Sequence, residues 1–215
     1  MPTRRPGTRP NASRSWTNTA STRSCSTPTS LRLFDFCLET DGACAVVVTS
    51  TERARDLRQS PAVIRAVAQA SIPNPQPGIQ FPTLFRESIT SLPATAVART
   101  LYARAGLGPA DIDVAQIYDC FSITVLLQLE DWGFCKKGEG GPFVASGEIG
   151  LGGSLPINTG GGHLSEGYIH GMNHIVEGVR QIRGTSTSQV AGAETCLVTA
   201  TPLPPGSALI LTADR

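Results

Sequence analysis

The stretch "NTGGGHLSEGYIHG", residues 158–171, joins a run of three glycines to two of the three histidines of the chain and to a tyrosine. The third histidine, His174, follows three residues later. Glycine permits positive φ angles and lets the backbone approach a ligand closely. A helix predicted from about Ser165 to Arg183 would point its free N–H groups back at this loop, where an oxyanion or phosphate could bind. From local chemistry alone, an active-site loop and an ordinary Gly-rich connection both stay open.

The composition indicates a globular protein. The chain has 215 residues, of which 40% are hydrophobic and 16% charged, enough for one sizeable core or two small ones. Residues 1–30 contain five arginines and no acidic residue. Residues 31–215 therefore contain 13 of the 18 basic residues and all 17 acidic residues. This mildly acidic body predicts no nucleic-acid partner. Apolar runs such as "ACAVVV" at 43–48 fall well short of the roughly 20 residues that cross a bilayer, so we predict no membrane span.

The six cysteines show no C-x-x-C spacing and lie mostly in apolar surroundings. This pattern is typical of buried thiols and indicates a reducing compartment, which we take as the cytoplasm, without a structural zinc site.

The first 30 residues are rich in Ser, Thr, Arg and Pro and lack hydrophobic periodicity. Such a composition cannot bury enough apolar surface to offset its ordering entropy. We expect residues 1–30 to be a disordered extension or a misread part of the gene; an organellar transit peptide is a further alternative.

From residue 31 onward, short apolar runs alternate with amphipathic segments, as in an α/β layered domain. Residues 43–48 are predicted to form a buried strand, a helix to begin at Thr51, and a second apolar segment to cover 61–71. A Pro-rich loop at 72–78 follows. The remaining predicted elements are a helix ending at Gly106, a short strand in "DIDVAQIYDCFS", a helix in "ITVLLQLEDWGF", the helix from about Ser165 to Arg183, and two strands in "SQVAGAETCLVTA" and "SALILTAD".

Four blocks of the sequence, in order, resemble the C-terminal half of thiolases. The glycine stretch resembles their N-x-x-G-G-x-x-x-x-G-H-P pattern, and "YDCFS" at 118–122 resembles the H-D-C-F form found in sterol-carrier-protein type thiolases. "TDGACAVVV" at 40–48 resembles the S-D-G-A-A-A strand that closes the N-terminal half. "AGLGPADIDVAQIYDCF" at 105–121 resembles the family's helix-to-strand approach to its catalytic block.

The resemblance implies an α/β fold: a thiolase-like C-terminal half with a mixed five-stranded sheet and helices on both faces. It places the C-terminal domain at 61–215 and makes 31–60 a remnant of the end of the N-terminal half. Intact relatives form homodimers and keep the active site between two similar halves. By that resemblance the chain would hold only part of an acyl-CoA pocket and would lack the nucleophilic cysteine.

Two departures from the family pattern concern the chemistry. Tyr168 stands where thiolases have the histidine of G-H-P, and Tyr118 stands where they have Asn or His. In that family these positions build the oxyanion site around the CoA thioester. A phenol, with an ordinary pKa near 10, is a poor general base at neutral pH but donates strong hydrogen bonds. It suits removal of a hydroxyl proton as an enolate forms, a retro-aldol cleavage, better than a Claisen condensation.

Tyrosine at both positions resembles the lipid-transfer-protein type aldolases of steroid side-chain degradation. Those enzymes cleave a β-hydroxyacyl-CoA to a ketone and a short acyl-CoA, together with an OB-fold, zinc-ribbon partner. The resemblance therefore implies a C–C lyase with Tyr168 and Tyr118 as catalytic residues, a coenzyme A thioester as substrate and no covalently bound cofactor. Two alternatives stay open: an acetyl-CoA acyltransferase of the thiolase type, and a truncated, inactive module that binds lipid or acyl-CoA.

The remaining candidates follow from the same blocks. The resemblance assigns substrate binding to Asn158, Gly161, Gly162, Gly167 and His163, and His163 could bind a thioester oxygen or orient Tyr168.

Two weaker candidates have alternative roles. Asp119 could accept a hydrogen bond or cap the next helix, and the cap is the prediction. Cys196 lies where thiolases have C-x-G-G-G, although a small buried strand residue explains it as well. His170 and His174 have the i, i+4 spacing of some metal sites, but no third ligand follows from the sequence, so we predict no metal.

Overall fold

A computed structural model describes residues 35–71, 90–201 and 205–214. These residues form one mixed sheet with the strand order β1-β4-β3-β2, in which β4 is antiparallel to both neighbours and β2 is parallel to β3. The strands are β1 (Ala62–Ala70), β2 (Val114–Gln116), β3 (Thr195–Ala200) and β4 (Gly206–Ala213). The predicted extension at 1–30 and the Pro-rich loop at 72–78 lie outside the described residues.

Six helices and one 3₁₀ turn are found in the same residues. They are α1 (Thr51–Arg55), α2 (Ala94–Ala105), the 3₁₀ turn (Pro109–Asp111), α3 (Ser122–Asp131), α4 (Gly140–Ala145), α5 (Gly162–Ser165) and α6 (Met172–Arg183).

Helices cover both faces of the sheet, as the resemblance to thiolases implies. Successive strand residues point to opposite faces, and β3 shows this directly. Leu197 packs in the larger core cluster with α2, whereas Cys196 and Val198 belong to the cluster that contacts α6. The sheet is therefore the middle layer of three.

Helix α2 forms where the apolar spacing predicts it. Its buried residues recur three or four positions apart: Ala94, Val97, Ala98, Leu101 and Ala105. Gly106 ends the helix in a left-handed conformation, φ 69°, and its N–H donates to the carbonyl of Tyr102.

Helix α6 buries a polar stripe against the sheet and the glycine loop. The buried residues of the stripe are Asn173, His174, Glu177 and Gln181. Gly178 lies among them, and a Cβ there would come within 3.0 Å of Val198 and 3.1 Å of the Cys196 thiol. The missing side chain lets α6 pack close to β3, where its polar residues meet the loop that follows β2.

Two predictions about the strands are wrong. The described residues contain four strands, not five. Residues 43–48 form no strand, and Val47 and Val48 are 93% and 72% exposed. This run has the β-branched composition of a strand, but no strand of the described residues lies beside it to pair with its backbone.

The predicted helix from Ser165 to Arg183 is wrong in its first half. The chain forms the single turn α5, then a connection over residues 166–171, and only then α6. The connection is not helical because His170 and Gly171 both have positive φ angles, 50° and 88°.

Candidate active site

Tyr118 is held at the end of β2 by its own backbone. Its N–H donates to the hydroxyl of Thr199 at 3.0 Å, and its carbonyl accepts from the Gln128 amide at 2.8 Å. The Gln128 oxygen in turn accepts from the hydroxyls of Thr199 and Thr201. Tyr118 is only 7% exposed. Strand β3 and helix α3 together therefore set the position of this phenol.

Tyr168 lies in the connection between α5 and α6, where Thr40 anchors its backbone. The N–H of Tyr168 donates to the Thr40 hydroxyl at 3.2 Å, and the same threonine contacts Gly167, where a Cβ would lie 3.2 Å from it. The two blocks at 40–48 and 158–171, remote in sequence, thus meet at this tyrosine.

The two predicted catalytic tyrosines meet through their hydroxyls. The Tyr118 and Tyr168 oxygens are 2.7 Å apart, and the Tyr168 oxygen lies 2.9 Å from Nδ1 of His170. Two further rings complete an aromatic cluster, defined here as Tyr118, His163, Tyr168, His170 and His174. A chain of hydrogen bonds therefore runs from the buried Tyr118 to the exposed His170.

Burial raises the pKa of Tyr118, and its hydrogen bond with Tyr168 raises it further. Tyr118 is therefore a neutral phenol at physiological pH. It can donate a proton or a hydrogen bond, but it does not serve as an anionic base.

Asp119 occupies the start of α5, beside the glycine loop where the sequence left open a site for an oxyanion or phosphate. Its carboxylate accepts the backbone N–H groups of His163 at 2.8 Å and Leu164 at 3.3 Å, the first free donors of α5. Because a side chain of the protein accepts these two N–H groups, they are not free for a ligand. The predicted cap is wrong, since α3 begins at Ser122 without a side-chain cap; the alternative, a backbone hydrogen bond, is what forms.

Asp119 also binds His174, whose Nε2 lies 3.1 Å from its Oδ1. Burial alone would raise the pKa of this carboxyl, but the hydrogen bonds from His174 and from the His163 N–H outweigh burial and lower it. The carboxylate is thus ionised, and His174 must donate from Nε2.

His163 is 2% exposed, and its ring packs edge-on against Tyr118 and Tyr168. Its Nε2 accepts the N–H of Gly171 at 3.1 Å. Burial, with the nearby His174, lowers its pKa to about 4, so the ring is neutral and its proton sits on Nδ1. This geometry favours orientation of Tyr168 over contact with a thioester oxygen.

Asp119, His163 and His174 are spaced closely enough for a metal ion, with their ligand atoms within 4.8 Å of one another. The donor set does not fit one. Nδ1 of His163 carries the proton because its Nε2 accepts the N–H of Gly171. Asp119 Oδ1 already accepts from the His163 backbone N–H and from the His174 ring. The cluster is a hydrogen-bonded scaffold.

Asn158, Gly161 and Gly162 determine the conformation of the glycine loop. The Asn158 amide pairs with both backbone groups of Ile117, at 2.7 and 2.9 Å, and so extends β2 toward Tyr118. Gly161 has a φ of 105°. Gly162 has a φ of 62°, and a Cβ there would collide with the Asp119 carboxylate. Their assigned role in substrate binding stays a prediction; the contacts shown are internal to the protein.

A second polar cluster stabilises the loop from the side of α6. Glu177 Oε1 accepts from the hydroxyls of Thr159 and Ser186 and from the Gln181 amide. Sequence reasoning missed this cluster and the link between His174 and Asp119. The spacing of His174, Glu177 and Gln181 along one face of α6 was the available signal.

Cys196 is completely buried between β3 and α6, and burial raises the pKa of its thiol. It is a small core residue of the strand, which was one of the two alternatives.

His170 and His174 do not share a helix face, because His170 precedes α6. His170 lines an open cleft of about 660 Å³ instead, together with Gly171, Met172 and residues from the ends of β1, β3 and β4. Neither tyrosine lines this cleft, but His170 both lines it and contacts the hydroxyl of Tyr168.

Residues 83–209 match the thiolase C-terminal domain-like family, and the chain belongs to that family. It is 54% identical over 182 residues to the 17-hydroxy-3-oxo-4-pregnene-20-carboxyl-CoA lyase of Mycobacterium tuberculosis, covering 84% of this chain and 46% of that protein. It is 49% identical over 186 residues to a steroid side-chain-cleaving aldolase of Thermomonospora curvata, covering 86% and 47%.

A solved structure, the Ltp2-ChsH2(DUF35) aldolase, superposes with a TM-score of 0.72 at 48% identity, over 77% of this chain and 43% of that one. The chain thus spans about half the length of the curated relatives it matches. Among the described residues, no helix has the length and apolar character needed to span a bilayer.

Proposed function

We propose that the protein to which this chain belongs cleaves a carbon–carbon bond of a β-hydroxyacyl-CoA by a retro-aldol reaction. The observation that carries the proposal is the 2.7 Å contact between the hydroxyls of Tyr118 and Tyr168. A retro-aldol reaction requires removal of a proton from the β-hydroxyl and delivery of a proton to the α-carbon. Two phenols in direct contact can carry out both transfers.

The two tyrosines take different parts. Tyr168, half-buried and next to His170, takes the proton of the substrate's β-hydroxyl as the carbonyl of the ketone forms. It releases its own hydroxyl proton along its hydrogen bonds, and this proton later replaces the one that Tyr118 gives up. The electron pair of the Cα–Cβ bond passes to the thioester enolate. Tyr118, kept neutral by its raised pKa, donates to this enolate and protonates its α-carbon.

The buried residues that surround the two tyrosines hold them in position. Asp119 fixes the start of α5 and the His174 ring, while His163 supports both tyrosine rings. We assign these side chains to positioning, since each is engaged with other groups of the protein.

The names of the relatives support the substrate class. The lyase of M. tuberculosis is named for a steroid carboxyl-CoA, and the T. curvata protein for cleaving steroid side chains. We extend to this chain a steroid side-chain acyl-CoA as substrate and no covalently bound cofactor. By the same extension we propose a homodimer and a partner of the ChsH2(DUF35) kind, for which the OB-fold, zinc-ribbon architecture is our expectation. A cytoplasmic location fits the free cysteines of the described residues.

A chimera tests the activity. In the M. tuberculosis lyase, the region matched by this chain is replaced with the residues of this chain, and the unaltered lyase is the positive control. The substrate is a β-hydroxyacyl-CoA with a tertiary alcohol. We expect release of a ketone and a shorter acyl-CoA without added free CoA. A folded chimera that releases no ketone, or that only thiolyses a β-ketoacyl-CoA with free CoA, contradicts the proposal.

A further inference from the structure

We propose that His170 is the proton-relay residue of the tyrosine pair: it takes a proton from Tyr168 when the substrate hydroxyl is deprotonated and returns it when the product enolate is protonated. This inference rests on the proposed function. His170 acts through Tyr168 and is therefore a positioning residue that also carries the relayed proton.

The hydrogen bonds form an unbroken path. Tyr118 contacts Tyr168 at 2.7 Å, and Tyr168 contacts Nδ1 of His170 at 2.9 Å. Exposure increases along the path, from the buried Tyr118 through the half-buried Tyr168 to the exposed His170. The imidazole ring thus lies at the solvent end of the pair.

The other two histidines of the aromatic cluster cannot take this part. Nε2 of His163 accepts from Gly171, and Nε2 of His174 is held by Asp119. Both rings are at least 98% buried. Among the three histidines, His170 is the one whose ring nitrogen contacts a phenol oxygen, and its ring also borders the open cleft.

The backbone at His170 adopts a conformation that few side chains adopt. Its φ of 50° lies in the left-handed region, which glycine adopts without strain and other residues adopt rarely. Strained residues persist where the surrounding structure holds them, often at functional sites. Here the strained backbone directs the imidazole nitrogen onto the Tyr168 hydroxyl.

A 2.9 Å contact between Tyr168 and His170 serves both directions of transfer. With Nδ1 unprotonated, the phenol donates to the ring; with Nδ1 protonated, the ring donates to the phenol. In the first half of the cycle the hydroxyl proton of the substrate moves to the Tyr168 oxygen, and the original Tyr168 proton moves to His170. The O–H electron pair becomes part of the ketone C=O bond, and the Cα–Cβ pair moves to the enolate.

In the second half the proton returns. His170 gives its proton to Tyr168, Tyr168 gives one to Tyr118, and Tyr118 gives one to the α-carbon of the enolate. The products are the ketone and the shortened acyl-CoA, and all three side chains end in their starting states. No external oxidant, reductant or base takes part.

Two substitutions at His170 separate proton transfer from packing. Asn tolerates left-handed backbone and can place an amide atom near the position of Nδ1, but it cannot carry the proton. His170→Asn and His170→Ala are compared in the chimera, with Tyr102→Phe as a control because its hydroxyl bonds the Trp132 carbonyl, outside the aromatic cluster. We expect both His170 variants to lower kcat about 100-fold or more with little change in KM. Added imidazole should restore part of the activity of His170→Ala and none of Tyr168→Phe.

The full 215-residue chain supplies a readout that does not depend on activity. The ¹⁵N resonance of His170 Nδ1 should shift in Tyr168→Phe and stay in place in Tyr102→Phe, because only the first substitution removes its partner hydroxyl. The relay is overturned if this resonance does not shift in Tyr168→Phe, or if the kcat of the His170→Asn chimera lies within about twofold of that of the unsubstituted chimera. Either result leaves the proposed function intact. An unsubstituted, folded chimera without ketone release overturns both.

Discussion

The carboxylate of Asp119 accepts the backbone N–H of His163 at 2.8 Å, across 44 positions of sequence. Together with the contact to the Leu164 N–H, it occupies the N-terminus of α5 and ties the block at 118–122 to the glycine loop. Because Tyr118 directly precedes Asp119, and Tyr168 follows α5 by three residues, the same contact sets the distance between the two phenols.

Gly162 should be intolerant of any side chain. In Gly162→Ala the new Cβ collides with the Asp119 carboxylate, and the residue must also hold a φ of 62°. We expect a loss of unfolding free energy of at least about 2 kcal/mol, measured by urea denaturation of the chain. Gly141→Ala is the matched control: that glycine lies in α4 with open space around its Cβ position, and it should be neutral or slightly stabilising.

Gln128 should matter to stability because three partners depend on it. Gln128→Met keeps the approximate volume but leaves the Tyr118 carbonyl and the hydroxyls of Thr199 and Thr201 without this partner in a buried site. We expect a cost of about 2–4 kcal/mol in denaturant unfolding. A variant as stable as the unsubstituted chain would show that this network does not hold Tyr118.

Acid should destabilise the fold through His163. Its folded pKa, about 4, lies below its ordinary unfolded value near 6.5, so between these pH values the unfolded chain binds a proton that the folded chain does not. The unfolding free energy should therefore fall as pH drops from about 6.5 to 4, by at most about 3 kcal/mol. The lowered pKa of Asp119 removes stability only at still lower pH.

Denaturant titrations at pH 7 and pH 5 measure the effect of His163. In His163→Gln the stability at pH 7 should decrease, but the dependence on pH should flatten. An unchanged slope between the two pH values would assign the acid sensitivity to another group.

Much of the fold could be predicted from local sequence, but the features that depend on tertiary contacts could not. Helix α2 was predictable because its apolar spacing and Gly106 act over a few residues. The break between α5 and α6 was missed, since it depends on a left-handed His170 that glycine-based rules do not anticipate. The occupant of the α5 N-terminus, Asp119, was missed because the contact spans 44 residues.

Some residues of the candidate site could likewise be predicted from the sequence, and others could not. Tyr118 and Tyr168 were predicted as a pair, and they meet. His170 and the buried stripe of His174, Glu177 and Gln181 acquire their roles only from tertiary contacts, which local patterns describe poorly.

Cys196 should be chemically inert in the folded chain, since it is completely buried and its thiol pKa is raised. After brief treatment with iodoacetamide, mass spectrometry should find it unmodified, whereas the partly exposed Cys44 reacts. Cys196→Ala in the chimera should retain ketone release. Rapid alkylation of Cys196 in the native protein would instead support a thiolase-like role for this cysteine.

The most direct test of the tyrosine mechanism is ketone release by the chimera carrying Tyr168→Phe, beside the same measurement with Tyr102→Phe. Both substitutions remove one hydroxyl from a half-buried ring, but only the first removes it from the contact with Tyr118. We predict that Tyr168→Phe lowers kcat for ketone release by about 100-fold or more while Tyr102→Phe stays near the unsubstituted rate. Ketone release at an undiminished rate in Tyr168→Phe would contradict the assignment of proton transfer to this pair of phenols.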